Sequence, residues 1–255
     1  MRLGKWILKI IEKMINLILS ICIIVTAAFS VYALWDNNRI YAAAENVQKD
    51  MIQLKPAMEE DEAPSFEELR KVNPDVCAWV TLDGTKIDFP VLQGETNLTY
   101  INRDVYGEFS LGGSIYLDTR NKSNFNDAYS MLYGHHMENS GMFGDLDLYK
   151  EQTFFDENST GMLILPEQSY QLRILACMVT EAGNEKIFDP EYAGTHMEEL
   201  FALVKSDSLH ISQSLYAQVI QEKTVQILAF STCSSEFTDA RTIILAVMEP
   251  NQTAG

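Results

Sequence analysis

From Met14 to Trp35 the chain carries no charged residue, and that stretch constrains the fold more than any other. About 20 consecutive apolar residues in a helix cross a hydrocarbon core of about 30 Å. With no water there to satisfy backbone groups, a single crossing segment has to be helical. Arg2, Lys5, Lys9 and Lys13 precede the run, so the excess of cations places the N-terminus in the cytoplasm and the remainder outside. A cleavable signal has a shorter apolar core of about 7–15 residues. The small-residue stretch Tyr41–Ala44 is also cut off from the run by Asp36 and Arg39. The expectation is a cytoplasmic tail over 1–13, a retained transmembrane signal anchor over 14–35, and everything after Trp35 at the outer face of a cell membrane.

Residues 36–72 are expected to form a helical stalk and N-terminal helices. Ser65 and Glu68 are spaced as a capping box for a short helix with Phe66 and Leu69 on one face, which Asn73-Pro74 ends. The remainder, 73–255, is long enough for one sizeable domain. A net charge of −17 leaves no means of neutralising a row of phosphates, which argues against a nucleic-acid partner. The acidity either keeps the domain soluble or serves an electrostatic role.

Cys22, Cys77, Cys177 and Cys233 include no Cys-x-x-Cys pair, so neither a structural zinc pattern nor a disulfide framework is indicated. Cys77 and Cys177 lie in apolar, strand-like runs and read as inert buried thiols.

Beyond Pro74 short apolar segments alternate with turn residues. "VCAWVTL", the turn Asp83-Gly84 and "TKIDFPVLQ" read as a hairpin. "GGSIYLD", "AYSMLYGHH", "TGMLILP", "SYQLRILACMVT", "TVQILAFSTC" and "TIILAVME" are further strands. Short connections between about eight strands suggest a closed or nearly closed antiparallel barrel. One helix is expected to interrupt it: Met197, Leu200, Phe201 and Val204 fall at i, i+3, i+4 and i+7, with Thr195 and Glu198 as its capping box. His196 and His210 read as solvated. "LPEQS" at Leu165–Ser169 reads as a turn.

The chemical signal lies in "QILAFSTCSSEFTDARTIILAV". An apolar strand ends in small polar residues around Cys233, and Arg241 opens the next strand. A cation favours a thiolate and can stabilise an oxyanion. "SMLYGHH" is another strand end, and cysteine chemistry commonly recruits an imidazole. Adjacent residues of an extended chain point to opposite faces, so at most one of His135 and His136 is expected to face a site. A metal held by the pair would need another spacing and nearby carboxylates.

"NPDVCAWVTLDGTKIDFPVLQ", "GGSIYLDTRN", "YGHHMENSGMFGDL" and "STCSSEFTDAR" occur in that order from Asn73 to Arg241, and in this the chain resembles the class B sortases. These are membrane-anchored cysteine transpeptidases of Gram-positive bacteria. The resemblance implies a mostly β fold, a closed eight-stranded sortase-type barrel with N-terminal helices and one inserted helix near 195–206. It passes the nucleophile to Cys233, the acid–base role to His135 and the cationic role to Arg241, and leaves His136 as the neighbour on the other face. Tyr133, Ser231 and Thr232 flank these pieces and are expected to line the substrate groove. Phe230, where the family usually has Leu or a similar residue, bears on substrate fit. The implied reaction cleaves a sorting motif, of an Asn-Pro-x-Thr type, after its Thr. It passes through a thioester to an amine of the cell-wall peptide or of a pilin lysine. No metal or organic cofactor is implied. Two other classes stay open: a hydrolytic cysteine peptidase, and a membrane-tethered binding domain without chemistry.

Overall fold

The computed structural model describes residues 2–56, 66–222, 224–233 and 236–251. The chain divides into two compact units, with the boundary between Ala42 and Ala43. Helix α1 runs Arg2–Ile52. Within the first unit its apolar side chains are exposed on every side, among them Ile23, Phe29 and Leu34, so this unit has no core of its own for them to enter. The helix is long and apolar enough to cross a membrane. Its hydroxyls suit that environment: Ser20, Thr26 and Ser30 each donate to the carbonyl four residues earlier, at 2.8–3.0 Å.

In the second unit α2 (Phe66–Val72) buries Phe66 and Leu69, and ends where Pro74 would bar another turn. Ser65, the expected cap, lies outside the described residues. Strands β1 (Val76–Leu82) and β2 (Asp88–Leu92) pair antiparallel. Their link contains Gly84 at φ +73°, where a Cβ would meet the Asn158 side chain; glycine is required there.

Then follow β3 (Ile115–Leu117), β4 (Tyr129–Tyr133), a 3-10 helix (Gly144–Lys150), α3 (Gln152–Glu157), β5 (Thr160–Ile164) and β6 (Ser169–Glu181). Next come α4 (Glu185–Phe188), α5 (Pro190–Thr195), α6 (Met197–Asp207), β7 (Ser208–Ile211), α7 (Gln213–Val219), β8 (Ile227–Cys233) and β9 (Ala240–Pro250). Hydrogen-bonded neighbours run β5-β1-β2-β3-β4-β8-β9-β6, and β6 closes on β5. The result is the expected closed eight-stranded barrel, with β7 as an extra strand on β6. It is mixed, where an antiparallel barrel was expected: β2–β3 and β4–β8 are parallel. Parallel neighbours need a crossover of a dozen or more residues, and the stretches 93–114 and 134–226 are that long.

The second crossover also corrects the helix count. Helix α6 buries Leu200, Phe201 and Val204 as its periodicity requires, yet α4, α5 and α7 accompany it. The Thr195 capping box does not form. Asp189 caps α5 by accepting from the amides of Glu191 and Tyr192, and that helix runs through Thr195. The Thr195 hydroxyl donates back to the carbonyls of Glu191 and Tyr192, leaving His196 to open α6 without a side-chain cap bond.

These helices cover one face of the sheet. Leu200, Val204, Leu215 and Val219 pack with Ile227 and Ala229 of β8 and with Ile243, Leu245 and Val247 of β9. By strand alternation Leu228 and Phe230 point into the barrel, where Phe230 meets Phe143 edge-on at 5.8 Å. Cys77 and Cys177 are buried, and burial pushes both thiols up to about 12. "LPEQS" is the turn between β5 and β6, closed by Leu165 N–H donating to Gln168 O at 2.8 Å.

Candidate active site

Strand β8 is buried from Ile227 to Thr232 and emerges at Cys233. Its register against β9 places Cys233 directly across from Arg241. On its other side β8 runs parallel to β4, with Ser231 beside Tyr133, and Gly134 N–H donates to Ser231 O at 3.2 Å. Alternation then sends Tyr133, His135, Ser231, Cys233 and Arg241 toward one face. They border an open groove of about 340 Å³ together with Asn97, Leu98, Ile101, Tyr116, Ala182 and Phe188. All six residues singled out in the sequence line this groove, Thr232 included. The Thr232 hydroxyl, however, is buried and has no hydrogen-bond partner among the described residues.

His135 is half-buried. Its Nε2 lies 2.7 Å from the Ile101 carbonyl oxygen, which can only accept, so the proton sits on Nε2. No hydrogen bond joins His135 to Cys233 among the described residues; the two share the groove as separate walls of it. The Arg241 guanidinium donates to the Ala240 carbonyl at 2.9 Å. Among the described residues no carboxylate pairs with it, which leaves its charge available to a ligand.

His136 points away from the groove, as alternation requires, and donates from Nε2 to Asp147 Oδ2 at 2.9 Å. That bond raises the imidazole above its ordinary value, against burial. His210, expected to be solvated, is half-buried and donates to the Lys150 carbonyl at 2.6 Å. His196 is exposed and stacks on Tyr192 at 4.2 Å.

The sequence reading missed Asp118, which organises the front of the groove. Its carboxylate is fully buried and accepts from the Tyr133 hydroxyl at 2.9 Å, Asn97 Nδ2 at 2.9 Å, and Arg120 Nε and Nη2 at 2.9 and 2.8 Å. Burial alone would raise this carboxyl; the bonds from Arg120 and Tyr133 outweigh it and hold it below its usual range. Arg120 also donates to the Phe188 carbonyl at 2.6 Å. One carboxylate thus joins the β2–β3 loop, the ends of β3 and β4, and α4. The signal was present in "LDTR", an acid two residues before an arginine at a strand end, but its other partners lie far away in sequence. Among the described residues no group of three His, Cys, Asp or Glu is placed to hold a metal ion.

No protein-family model matches the chain. Sortase B of Staphylococcus aureus is 31% identical over 173 residues, which is 68% of this chain and 71% of that protein. A Streptococcus pyogenes class B sortase involved in pilus biogenesis superposes with a TM-score of 0.66 at 36% identity, covering 72% of this chain and 97% of that one. The S. aureus sortase B–substrate complex superposes with a TM-score of 0.66 at 26% identity, over 86% of this chain and 98% of that one.

Proposed function

The chain belongs to the class B sortases and is a sortase-type cysteine transpeptidase, and on that premise we propose that Cys233 is its nucleophile, His135 its acid and base, and Arg241 its oxyanion partner. One observation carries the assignment: three strand ends bring a thiol, an imidazole and a guanidinium with no carboxylate partner among the described residues to one groove, with Cys233 and Arg241 directly cross-strand.

The Cys233 thiolate adds to the carbonyl carbon of a Thr in the sorting motif of a secreted protein. Arg241 faces the charge that develops on the carbonyl oxygen. The imidazolium of His135 gives its proton to the departing amide nitrogen, the C–N bond breaks, and a thioester remains. An incoming amine then attacks that thioester. His135 takes the amine's proton, the C–S bond breaks, and the thiolate returns as the new amide forms. Tyr133 and Ser231 side chains, with the Thr232 backbone, line the floor along which the motif lies. The acceptor is an amine of the cell-wall peptide or a pilin lysine.

Intact mass of the full chain in detergent, mixed with a peptide library built on an Asn-Pro-x-Thr core, tests this. A gain matching a peptide cleaved after Thr, absent in Cys233→Ala and discharged as a new amide by triglycine or a lysine peptide, is the expected result. Discharge to water alone would indicate a hydrolase. No adduct, together with a Cys233 inert to iodoacetamide, would leave a tethered binding domain.

Helix α1 is proposed to anchor the enzyme in the cell membrane, with Arg2, Lys5, Lys9 and Lys13 cytoplasmic. A membrane-impermeant maleimide should label Cys233 on intact cells; labelling only after permeabilisation would reverse the orientation.

A further inference from the structure

Behind the groove a second carboxylate gathers the sequence neighbours of the proposed catalytic residues. Asp147, in the 3-10 helix, accepts from His136 Nε2 on Oδ2 at 2.9 Å. Its Oδ1 accepts from the Thr242 hydroxyl at 2.9 Å and from Lys150 Nζ at 2.8 Å. His136 shares a peptide with His135, and Thr242 shares one with Arg241. Lys150 in turn pairs with Glu236, in the connection that follows Cys233. The paths to His135 and to Arg241 therefore each pass from Asp147 through one residue and one peptide bond, and the path through Lys150 and Glu236 toward Cys233 is longer.

The geometry explains why such a link is effective. Alternation sends His136 and Thr242 to the face opposite His135 and Arg241, so tethering the first pair from behind fixes the backbone that presents the second pair in front. His135 lies two residues beyond the end of β4 at Tyr133, and Arg241 is the second residue of β9. Strand ends fray unless something beyond the ladder holds them. The backbone after His136 turns back at once, with Met142 bridging to His136 and Phe143 N–H donating to His135 O at 3.0 Å. That return delivers the chain into the 3-10 helix carrying Asp147. Asp147 uses both oxygens, so its own rotamer is fixed by donors from two different segments and its own helix.

Resting on the assignment of His135, Arg241 and Cys233 above, we infer that Asp147 is a positioning residue that holds the acid–base histidine and the oxyanion arginine in register across the groove. The neighbouring charges agree with this. Burial would raise the Asp147 carboxyl, but the bonds from His136, Lys150 and Thr242 take it to about 2. The carboxylate is therefore charged throughout the neutral range. The charged groups that bond it are His136 from the loop side and Lys150 on its own helix, with Glu138 acting on His136 and Glu236 from the β8–β9 connection acting on Lys150; the buried Cys177 thiol lies within the field of Lys150, Asp147 and Glu236.

The test uses the full chain in detergent, with Asp147→Asn, Thr242→Val and Thr242→Ser beside the wild type. Transfer of the library peptide that acylates Cys233 onto triglycine gives kcat and KM, and iodoacetamide gives the reactivity of Cys233 by itself. Asp147→Asn is expected to lower kcat by about tenfold or more, as misplaced groups do, with KM and the alkylation rate within about twofold. The His136 ring should titrate at lower pH by NMR, and the His135 resonances should shift. Thr242→Val should lose activity in the same sense and Thr242→Ser should recover it, because the serine keeps the hydroxyl. An Asp147→Asn enzyme with kcat within about twofold of wild type and unmoved His135 resonances would overturn the inference. So would Thr242→Ser as impaired as Thr242→Val, since that marks a need for volume only. Should Asp147→Asn fail to fold, the two threonine variants decide. A peptide adduct that survives Cys233→Ala would instead break the catalytic assignment itself, whatever Asp147 does.

Discussion

Two aspartates brace the groove from opposite sides, and they are built differently. Asp118 at the front is fully buried and its main partner is Arg120, a cation at every accessible pH. Asp147 behind keeps 36% of its side chain exposed, and its partner His136 loses its charge within reach of solution conditions. The front network joins structural pieces: the β2–β3 loop, β3, β4 and α4. The rear network joins the peptides next to the proposed catalytic side chains. A carboxylate sealed with arginine serves as a permanent rivet, whereas one paired with histidine can be loosened by pH. The protein thus places its pH-sensitive brace behind the proposed catalytic residues and its insensitive one under the front wall of the groove.

The largest effect that sharpens this contrast is expected from Asp118→Ala. It strands the donors of Tyr133, Asn97 and Arg120 around a buried void, and breaking a buried hydrogen-bonded charge costs about 3 kcal/mol. Chemical denaturation should show that loss, and peptide KM should rise because Tyr133 and Asn97 line the groove. Stability within about 0.5 kcal/mol of wild type would show that the front network is no rivet. Asp147→Ala removes a half-exposed acceptor and should cost less, about 1–2 kcal/mol, while costing more in kcat. If the two variants lost kcat and stability in the same proportion, the division of labour would be void.

The sequence reading identified neither aspartate, and how each brace is assembled shows why. The placement of His136 on the far face came from alternation alone, but its partner Asp147 lies eleven positions on, one residue past the quoted "YGHHMENSGMFGDL" fragment. Asp118 draws on Asn97, Tyr133 and Phe188, which only the closed barrel brings together. The same distinction runs through the fold. Strands β8 and β9 are continuous apolar runs and were read directly, with Cys233 and Arg241 at their ends. Strand β7 has Leu209 exposed and only half-buried neighbours, so it offers no pattern to read. The parallel pairing of β4 with β8 depends on a crossover whose short helices, α4, α5 and α7, have too few turns to show a period. The Thr195 cap was misread because an earlier, stronger cap at Asp189 carried its helix through the site.

Arg120→Lys tests the front network more gently. Lysine keeps the charge but loses the fork that grips both Asp118 oxygens while also reaching the Phe188 carbonyl. A loss of about 1 kcal/mol is expected, visible as a lower denaturation midpoint with an unchanged slope. A fully stable lysine variant would mean that charge alone holds the front wall.

The smallest effect is the one that separates the two braces most cleanly. His136 has its charged form favoured by Asp147, so its contribution is complete below the ordinary histidine value of about 6.5 and fades as pH rises through its higher folded value. Asp147 sits at about 2; its contribution is present above the ordinary carboxylate range and is lost only as pH falls toward that value. The rear brace is therefore firm between roughly pH 4 and 6.5 and loosens on the alkaline side. Asp118, also lowered, and Arg120, raised, keep the front brace charged over that same alkaline range. Between pH 6 and 9 the stability difference between wild type and His136→Gln should shrink by some tenths of a kcal/mol, about what a half-exposed pair contributes. The difference between wild type and Arg120→Lys should stay flat over the same interval. A slope in the arginine pair, or none in the histidine pair, would mean that the two carboxylates do not divide permanent from switchable support in this way.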